Sequence, residues 1–399
     1  MSHELPVKLK VLHIIDGFGT GGAETWLLQV ARYAQAHPEL GLSVDFLATG
    51  GEPAVFDEEV LKTGSKIFYL KYSLGKLFSF RKSFTEILKK EKYTAIHDHQ
   101  DFVSGWHFLS AIGFLPAVRI SHLHNPYNFI RNYVTTPSRW FSFRMGRLLM
   151  VLLCTGITGT SNAVMNEYGY HKWPYRKKRI DPVYCGFDVN LFKYNGDAKA
   201  GLCKELGWSE DTRVGVFIGR IDSENNDVSR NQKNPAFALD VAKEVVRQNK
   251  NWNFIFAGLK GVVGSQMEEE VEKTGLSGRI KFLGVRKDVP SLLSASDVLI
   301  FPSLWEGLGM IAVEAQATGL PVFASDALPR EAIIIKELVN TESLSKSVTE
   351  WALELLNITQ NAGNRPSANS FINDSPFSIQ NSVARMISAY GKRYAGDIK

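Results

Sequence analysis

The chain has 399 residues and is 44% hydrophobic, enough to build two or three domains with sizeable cores. A net charge of +5 is too mild at this length to mark a nucleic-acid binder. Cys154, Cys185 and Cys203 lack metal or disulfide spacing, the opening apolar run is too short for a signal peptide, and the longest apolar stretch, Leu148–Cys154, is far below the ~18 residues that would span a bilayer, so a cytoplasmic chain is expected. In chain order, short apolar runs predict strands at Val11–Asp16, Val44–Ala48, Lys66–Leu70, Ala95–His99, Val118–His122 and Gly156–Thr160. Amphipathic spacing predicts helices between them at Ala23–Ala36 and Phe78–Glu91.

The pattern then restarts. Strands are predicted at Val214–Ile218, Phe254–Ala257, Ile280–Leu283, Val298–Phe301 and Val322–Ala324. Helices are predicted at Pro235–Arg247, Met267–Thr274, Val289–Ala295, Met310–Ala317 and Leu344–Leu356. Alternation of this kind predicts α/β architecture with parallel sheets covered on both faces. The restart predicts two domains of similar, Rossmann-like architecture, over residues 1–190 and 191–377, with a boundary in the turn-rich stretch Val183–Phe192. Residues 378–399 read as a helix that closes the structure, and the polar stretch Asn357–Pro376 reads as a loop.

Four groups of residues carry chemistry. GFGTGGAE, Gly17–Glu24, follows the first strand, and its glycines would let backbone N–H groups approach a phosphate. An ordinary tight turn would use the same glycines. In PSLWEGLGMIAVEA, Pro302–Ala315, Glu306 lies in a loop after a buried strand, and Gly307 and Gly309 bracket a helix start whose N–H groups would face an anion. Glu314 lies one turn inside that helix among apolar residues, where a carboxylate needs donors such as a ribose diol. Gly219-Arg220 ends a strand and Gln232-Lys233-Asn234 opens a helix, so Arg220 and Lys233 suit a diphosphate. Last, His97 and His99, and His122 and His124, pair at period two on two strand ends. Four such histidines could bind zinc, but no cysteine or carboxylate pattern completes the set, and buried, satisfied histidines are common.

With GGAE after the first strand, His124-Asn125 after the fifth, Gly219-Arg220, Gln232-Lys233-Asn234, FLGVRKDVPSLLSASDV and the Glu306/Glu314 spacing, the chain resembles family 4 glycosyltransferases, in particular bacterial capsule and exopolysaccharide enzymes. The resemblance covers nearly the whole chain in order. It implies a GT-B fold with the two domains facing a cleft, retention at the anomeric carbon, a nucleotide-sugar co-substrate and no metal. It would place Glu306 at the donor sugar's hydroxyls, Glu314 at the ribose, and Gly307, Leu308, Gly309 and Met310 as backbone contacts to sugar and phosphate. Arg220 and Lys233 would neutralise the diphosphate, Gly21 and Gly22 would approach it from the first domain, Val285 and Arg286 would border the base, and His124 would lie near the transferred sugar. The chain departs from the family in a longer loop between Arg220 and Lys233, where Arg230 could replace either cation, in Cys185 before Gly186, and in the Asn357–Pro376 insert.

Two other activities share this outline. A nucleotide-sugar epimerase would need an extra acid/base pair, which is not found, and an inactive nucleotide-sugar-binding partner would have lost Glu306, Arg220 or Lys233, all of which are present. Between Phe102 and Asn166 there is no Asp or Glu, while Arg119, Arg131, Arg139, Arg144 and Arg147 give a local charge equal to the +5 of the whole chain. Three of these arginines alternate with Trp140, Phe141 and Phe143, which suits an anionic membrane surface, and the family resemblance implies a lipid-linked saccharide acceptor at the inner face of a membrane. The competing expectation is a helix that buries its aromatics in the first domain and leaves its arginines in water.

Overall fold

A computed structural model describes residues 8–19, 21–172, 175–222, 231–360, 365 and 368–396. The chain forms two compact units, one of residues 1–187 with 376–399 and the other of residues 188–375.

The first unit is built on six parallel strands: β1 (Leu9–Ile15), β2 (Leu42–Ala48), β3 (Ile67–Tyr69), β4 (Ala95–Asp98), β5 (Val118–Leu123) and β6 (Gly156–Gly159). Their order is β3-β2-β1-β4-β5-β6. The second unit repeats the plan with β7 (Arg213–Ile218), β8 (Trp252–Ala257), β9 (Ile280–Gly284), β10 (Val298–Phe301), β11 (Val322–Ser325) and β12 (Val339–Glu342) in the order β12-β11-β10-β7-β8-β9. Counted within each unit, both sheets run 3-2-1-4-5-6, the Rossmann order. The order reverses between β1 and β4 and again between β7 and β10. Ligands of such sheets bind beyond the strand C-termini at these reversals.

The strands form where β-branched and aromatic residues run together and both faces are covered. Trp252, Phe254 and Phe256 of β8 are buried, each contributing roughly 1.5–3 kcal/mol of transfer free energy. β12 was not expected: its sequence, VNTE, lies at the sheet edge and is only partly buried, so it lacks an apolar run. Helix Val348–Thr359 starts four residues later than its apolar pattern predicts, because Ser347 and Glu350 form a reciprocal cap there. Helix Gly261–Lys273 starts earlier than predicted, since Val263, Met267 and Val271 share one buried face while Gly261 and Gly264 dilute the pattern.

Helix Ile379–Gly396 belongs to the first unit. The chain returns to that unit through a short parallel bridge, with Phe187 N–H donating to Phe377 O at 3.0 Å and Ile379 N–H to Phe187 O at 2.9 Å. Helix Gly22–Ala36 covers the same side, and its Trp26 donates from Nε1 to Ser382 Oγ at 3.0 Å.

Candidate functional site

In the second unit the predicted residues gather at the reversal between β7 and β10. Chain direction places Gly219 and Arg220 just past β7, and Ser303–Glu306 just past β10. The backbone here is tightly drawn. Gly258, after β8, has φ 149°, and a side chain on it would strike the Gly219 carbonyl. Asn231 is buried and donates from Nδ2 to the carbonyls of Ile221 and Asp222 at 2.9 and 2.8 Å, while its Oδ1 accepts the Lys233 N–H at 3.0 Å. That network ties the backbone just past β7 to Lys233. Sequence reasoning passed over Asn231, because an isolated Asn in a polar loop carries no pattern.

Lys233 Nζ donates to Glu306 Oε1 at 2.7 Å and lies 5.0 Å from the centre of the Phe301 ring. The Glu306 side chain is only 4% exposed, so its charge is held by this pair rather than by water. Gln232 ties the same loops together: its Nε2 donates to Trp305 O at 2.9 Å and its O accepts the Leu304 N–H at 2.8 Å. Gly309 caps helix Met310–Ala317 with φ 86°, a left-handed conformation that favours glycine. A side chain there would also crowd Leu328 and Phe301. The start of this helix, behind Gly307, Leu308 and Gly309, presents N–H groups that lack intrahelical acceptors. Glu314 lies in the same helix, half-buried. Burial pushes its carboxyl up to about 7, against the pull of the Lys233 charge. Arg220 is exposed.

Val285 and Arg286 follow β9. Val285 is exposed. The Arg286 guanidinium is already held by two carboxylates, those of Asp288 at 2.7 Å and Glu205 at 2.6 Å, and these hydrogen bonds raise its pKa further. It therefore fixes the loop after β9 instead of presenting an unengaged charge. Arg230 lies outside the described residues.

In the first unit, Gly21 caps helix Gly22–Ala36, a side chain at 21 would run into the Glu24 carboxylate, and the space beside Gly22 is open. The four predicted histidines do come together, and His13 joins them. His13 registers with His97 across β1 and β4, so strand order brings it in, which period-two spacing alone could not show. Nitrogen to nitrogen, His13 Nδ1 is 2.9 Å from His99 Nε2, His99 Nδ1 is 3.0 Å from His124 Nε2, and His122 Nδ1 is 3.2 Å from His97 Nε2. His97 Nδ1 is 2.8 Å from the Tyr390 hydroxyl. Burial lowers all five pKa values, those of His13 and His124 to about 3, so the rings are neutral at neutral pH.

Asp101 holds the His124-Asn125 turn. Its Oδ1 accepts the His124 N–H at 2.8 Å, and its Oδ2 accepts Asn125 Nδ2 at 2.8 Å. Asp101 itself has φ 46°, and burial raises its carboxyl to about 6 although these donors oppose the shift. This residue was not anticipated either. The competing expectations for the arginine-rich helix, Pro137–Leu153, divide. Phe143 is buried, whereas Trp140 and Phe141 are each 56% exposed. Arg147 is drawn inward, donating to Tyr168 O at 2.9 Å, and Arg119 bonds Leu153 O at 2.7 Å at the helix end. Arg131, Arg139 and Arg144 remain exposed. No helix among the described residues is long and apolar enough to cross a membrane.

Two family models match in sequence order. Residues 20–191 match "Glycosyltransferase Family 4" and residues 204–367 match "Glycosyl transferases group 1". The chain belongs to the family 4 glycosyltransferases. It is similar to the glycosyltransferase EpsF of Bacillus subtilis, with 28% identity over 86% of each chain. CapH of Staphylococcus aureus, a capsular polysaccharide biosynthesis glycosyltransferase, is 25% identical over 80% of this chain and 81% of its own. An Escherichia coli galactosyltransferase that acts from UDP-Gal on α-D-GlcNAc-diphosphoundecaprenol is 26% identical over 61% of this chain and 60% of its own. Among solved structures, Anabaena HepE in complex with UDP-glucose aligns with a TM-score of 0.77 and 18% identity, over 96% of this chain and all of that one. That likeness carries the fold: two Rossmann-like units of the GT-B class.

Proposed function

We propose that this glycosyltransferase works in polysaccharide biosynthesis, moving a sugar from a nucleoside-diphosphate sugar to a lipid-linked saccharide acceptor with retention at the anomeric carbon and without a metal. The observation that carries this reading is the Lys233–Glu306 pair at the β7/β10 reversal, beside the start of helix Met310–Ala317 and Glu314.

In this reading the bond from the anomeric carbon to the diphosphate oxygen breaks, and its electron pair leaves with the diphosphate. Lys233, Arg220 and the N–H groups of Leu308, Gly309 and Met310 stabilise that developing charge. Glu306 accepts hydrogen bonds from donor-sugar hydroxyls and Glu314 from the ribose. The acceptor hydroxyl adds to the carbon on the face that the diphosphate leaves, and its proton passes to a diphosphate oxygen. Two carboxylates on a glycosidic bond would instead serve hydrolysis, but Glu314 is assigned to the ribose. Gly21, Gly22 and His124 keep, as proposals, the roles that the resemblance gives them. Val285 borders the base, and Arg286 acts on that loop through its ion pairs.

The acceptor reading is supported by the acceptor in the name of the Escherichia coli relative and by helix Pro137–Leu153. Trp140, Phe141, Leu148 and Leu152 are exposed along that helix together with Arg139 and Arg144, a basic and apolar face suited to the anionic inner surface of a cell membrane. A thermal-shift screen of nucleotides and nucleotide sugars tests the donor assignment, since a ligand of the native state raises the melting temperature. Stabilisation by a nucleoside diphosphate that Glu314→Ala reduces is expected. No shift with any nucleoside diphosphate or nucleotide sugar would overturn it.

A further inference from the structure

We propose that His99, His122 and His124 form a binding site for a divalent transition metal of the zinc type, with its fourth position open toward the half-buried His124. The ligand atoms of these three rings lie within 4.8 Å of one another. A tetrahedral zinc with bonds of ~2.0–2.1 Å needs its ligand atoms about 3.4 Å apart, so small ring rotations suffice. His99 Nδ1 and His124 Nε2, at 3.0 Å, are already that close.

The hydrogen bonds behind the rings argue for this set. A histidine binds metal through one nitrogen while its other nitrogen donates to a neighbour, which fixes the tautomer. His122 Nδ1 can donate to His97 Nε2, and His97 Nδ1 can donate to the Tyr390 oxygen. That leaves His122 Nε2 as a lone pair, and it is buried with no hydrogen-bond partner. His99 Nε2 can donate to His13 Nδ1, which turns the His99 Nδ1 lone pair toward His124. One assignment of protons therefore gives His99 and His122 a supporting acceptor and leaves His99 Nδ1 and His122 Nε2 as lone pairs; His124 Nε2, which donates to His99 Nδ1 while no ion is bound, gives up its proton when one binds. The cost of this assignment is a proton on His13 Nε2, which has no partner. The neighbouring trio of His13, His97 and His99 also lies within 4.8 Å, but both His97 nitrogens are engaged, and His13 and His97 are fully buried. Trp26 meets His99 and His122 edge-on at 5.6 and 5.3 Å and walls the set.

Three neutral imidazoles without a thiolate or carboxylate suit zinc, copper or nickel and not magnesium or calcium. An ion there takes the His124 nitrogen, so it would slow sugar transfer; that consequence rests on placing His124 near the transferred sugar, whereas binding does not.

The test uses tag-free, full-length protein stripped of metal. Zinc is titrated in competition with a chromophoric chelator, and cobalt(II) is added to read the visible band of a tetrahedral site. One ion per chain is expected. His122→Ala and His124→Ala should each weaken binding at least about 10-fold, and Tyr390→Phe about 10-fold through the His97 tautomer. Variants of the outlying His37 and His171 should bind as the parent does. Circular dichroism reports folding, and if His122→Ala does not fold, the more exposed His124 decides. No binding at micromolar zinc, or an affinity that His124→Ala leaves unchanged, overturns the site. Zinc that binds without slowing transfer upholds the site and removes His124 from the sugar.

Discussion

Lys233 and Glu306 neutralise one another across 2.7 Å, although 73 residues separate them in the chain. The pair sits where the donor's diphosphate and sugar hydroxyls are proposed to bind, so a donor would offer Lys233 a phosphate oxygen and Glu306 a hydroxyl in place of one another.

Removing Lys233 strands the Glu306 carboxylate. Lys233→Ala should cut turnover by ~10²-fold or more and destabilise the fold by about 1–3 kcal/mol, reduced from the fully buried case because Lys233 is partly exposed. Adding Glu306→Gln should restore stability but not turnover. Arg220→Ala should lose comparable turnover with an unchanged melting temperature, since Arg220 is exposed. Urea unfolding beside steady-state rates checks both. Near-normal rates in one variant would make Arg230 the substitute to examine, and near-normal rates in both would remove the diphosphate assignment.

Glu314 should make the apoprotein less stable as pH rises. Its folded pKa is raised to about 7 from an ordinary 4.5, so the folded state holds a proton that the unfolded state has released. Stability therefore falls between those two values and levels off above them, by about 1–3 kcal/mol in all. Glu314→Gln should flatten this slope and stabilise the apoprotein at pH 8, while weakening nucleoside diphosphate binding by ~1–3 kcal/mol. Calorimetric melts across pH would show an unchanged slope if another group were responsible.

Asp101 is a positioning residue for His124. Asp101→Ala leaves the His124 N–H and the Asn125 amide without their acceptor and should cost about 1–3 kcal/mol. Asp101→Asn keeps one acceptor and should fall between. If Asp101 only supported the fold, turnover per folded molecule would not change in either variant. A drop in kcat with KM for the donor preserved is expected, with the Asn variant recovering part of it.

Chelation should leave turnover intact. In the proposed donor site Arg220 and Lys233 would supply the cations that a divalent ion would otherwise bring to the diphosphate. Rates measured before and after EDTA check this, and a complete loss restored by zinc alone would make the histidine cluster essential to transfer.

Liposome flotation should detect binding that requires anionic lipid and weakens with salt. Arg139→Glu and Arg144→Glu together should abolish it. Arg147 is a poor probe, because its guanidinium is bonded to Tyr168 O and its replacement would disturb the first unit. Equal recovery with neutral vesicles, or none with either kind, would leave a soluble acceptor as the better substrate.

The sequence shows eleven of the twelve described strands, most of them as short runs rich in apolar residues, and it misses β12, whose VNTE at the sheet edge has no such run. The Glu306, Glu314, Arg220 and Lys233 constellation is legible because each residue stands next to a strand end or a helix start. Asp101, Asn231 and His13 are not legible. Asp101 and Asn231 act by gathering backbone groups of distant or irregular segments, and His13 joins its partners only once β1 lies beside β4. Arg286 is visible as a residue, yet its ion pair with Glu205 spans 81 positions and follows no local rule.

The first unit holds residues from both ends of the chain, whereas the second is one continuous stretch. During synthesis the second unit can therefore finish folding while the first still lacks its last helix. Until Ser382 and Tyr390 emerge, Trp26 has no acceptor and His97 has no hydroxyl, and the face of the first sheet that carries the histidines has yet to receive its cover. A released chain truncated after residue 375 should show a protease-resistant second unit and a first unit that is cut readily, whereas the full-length chain should protect both.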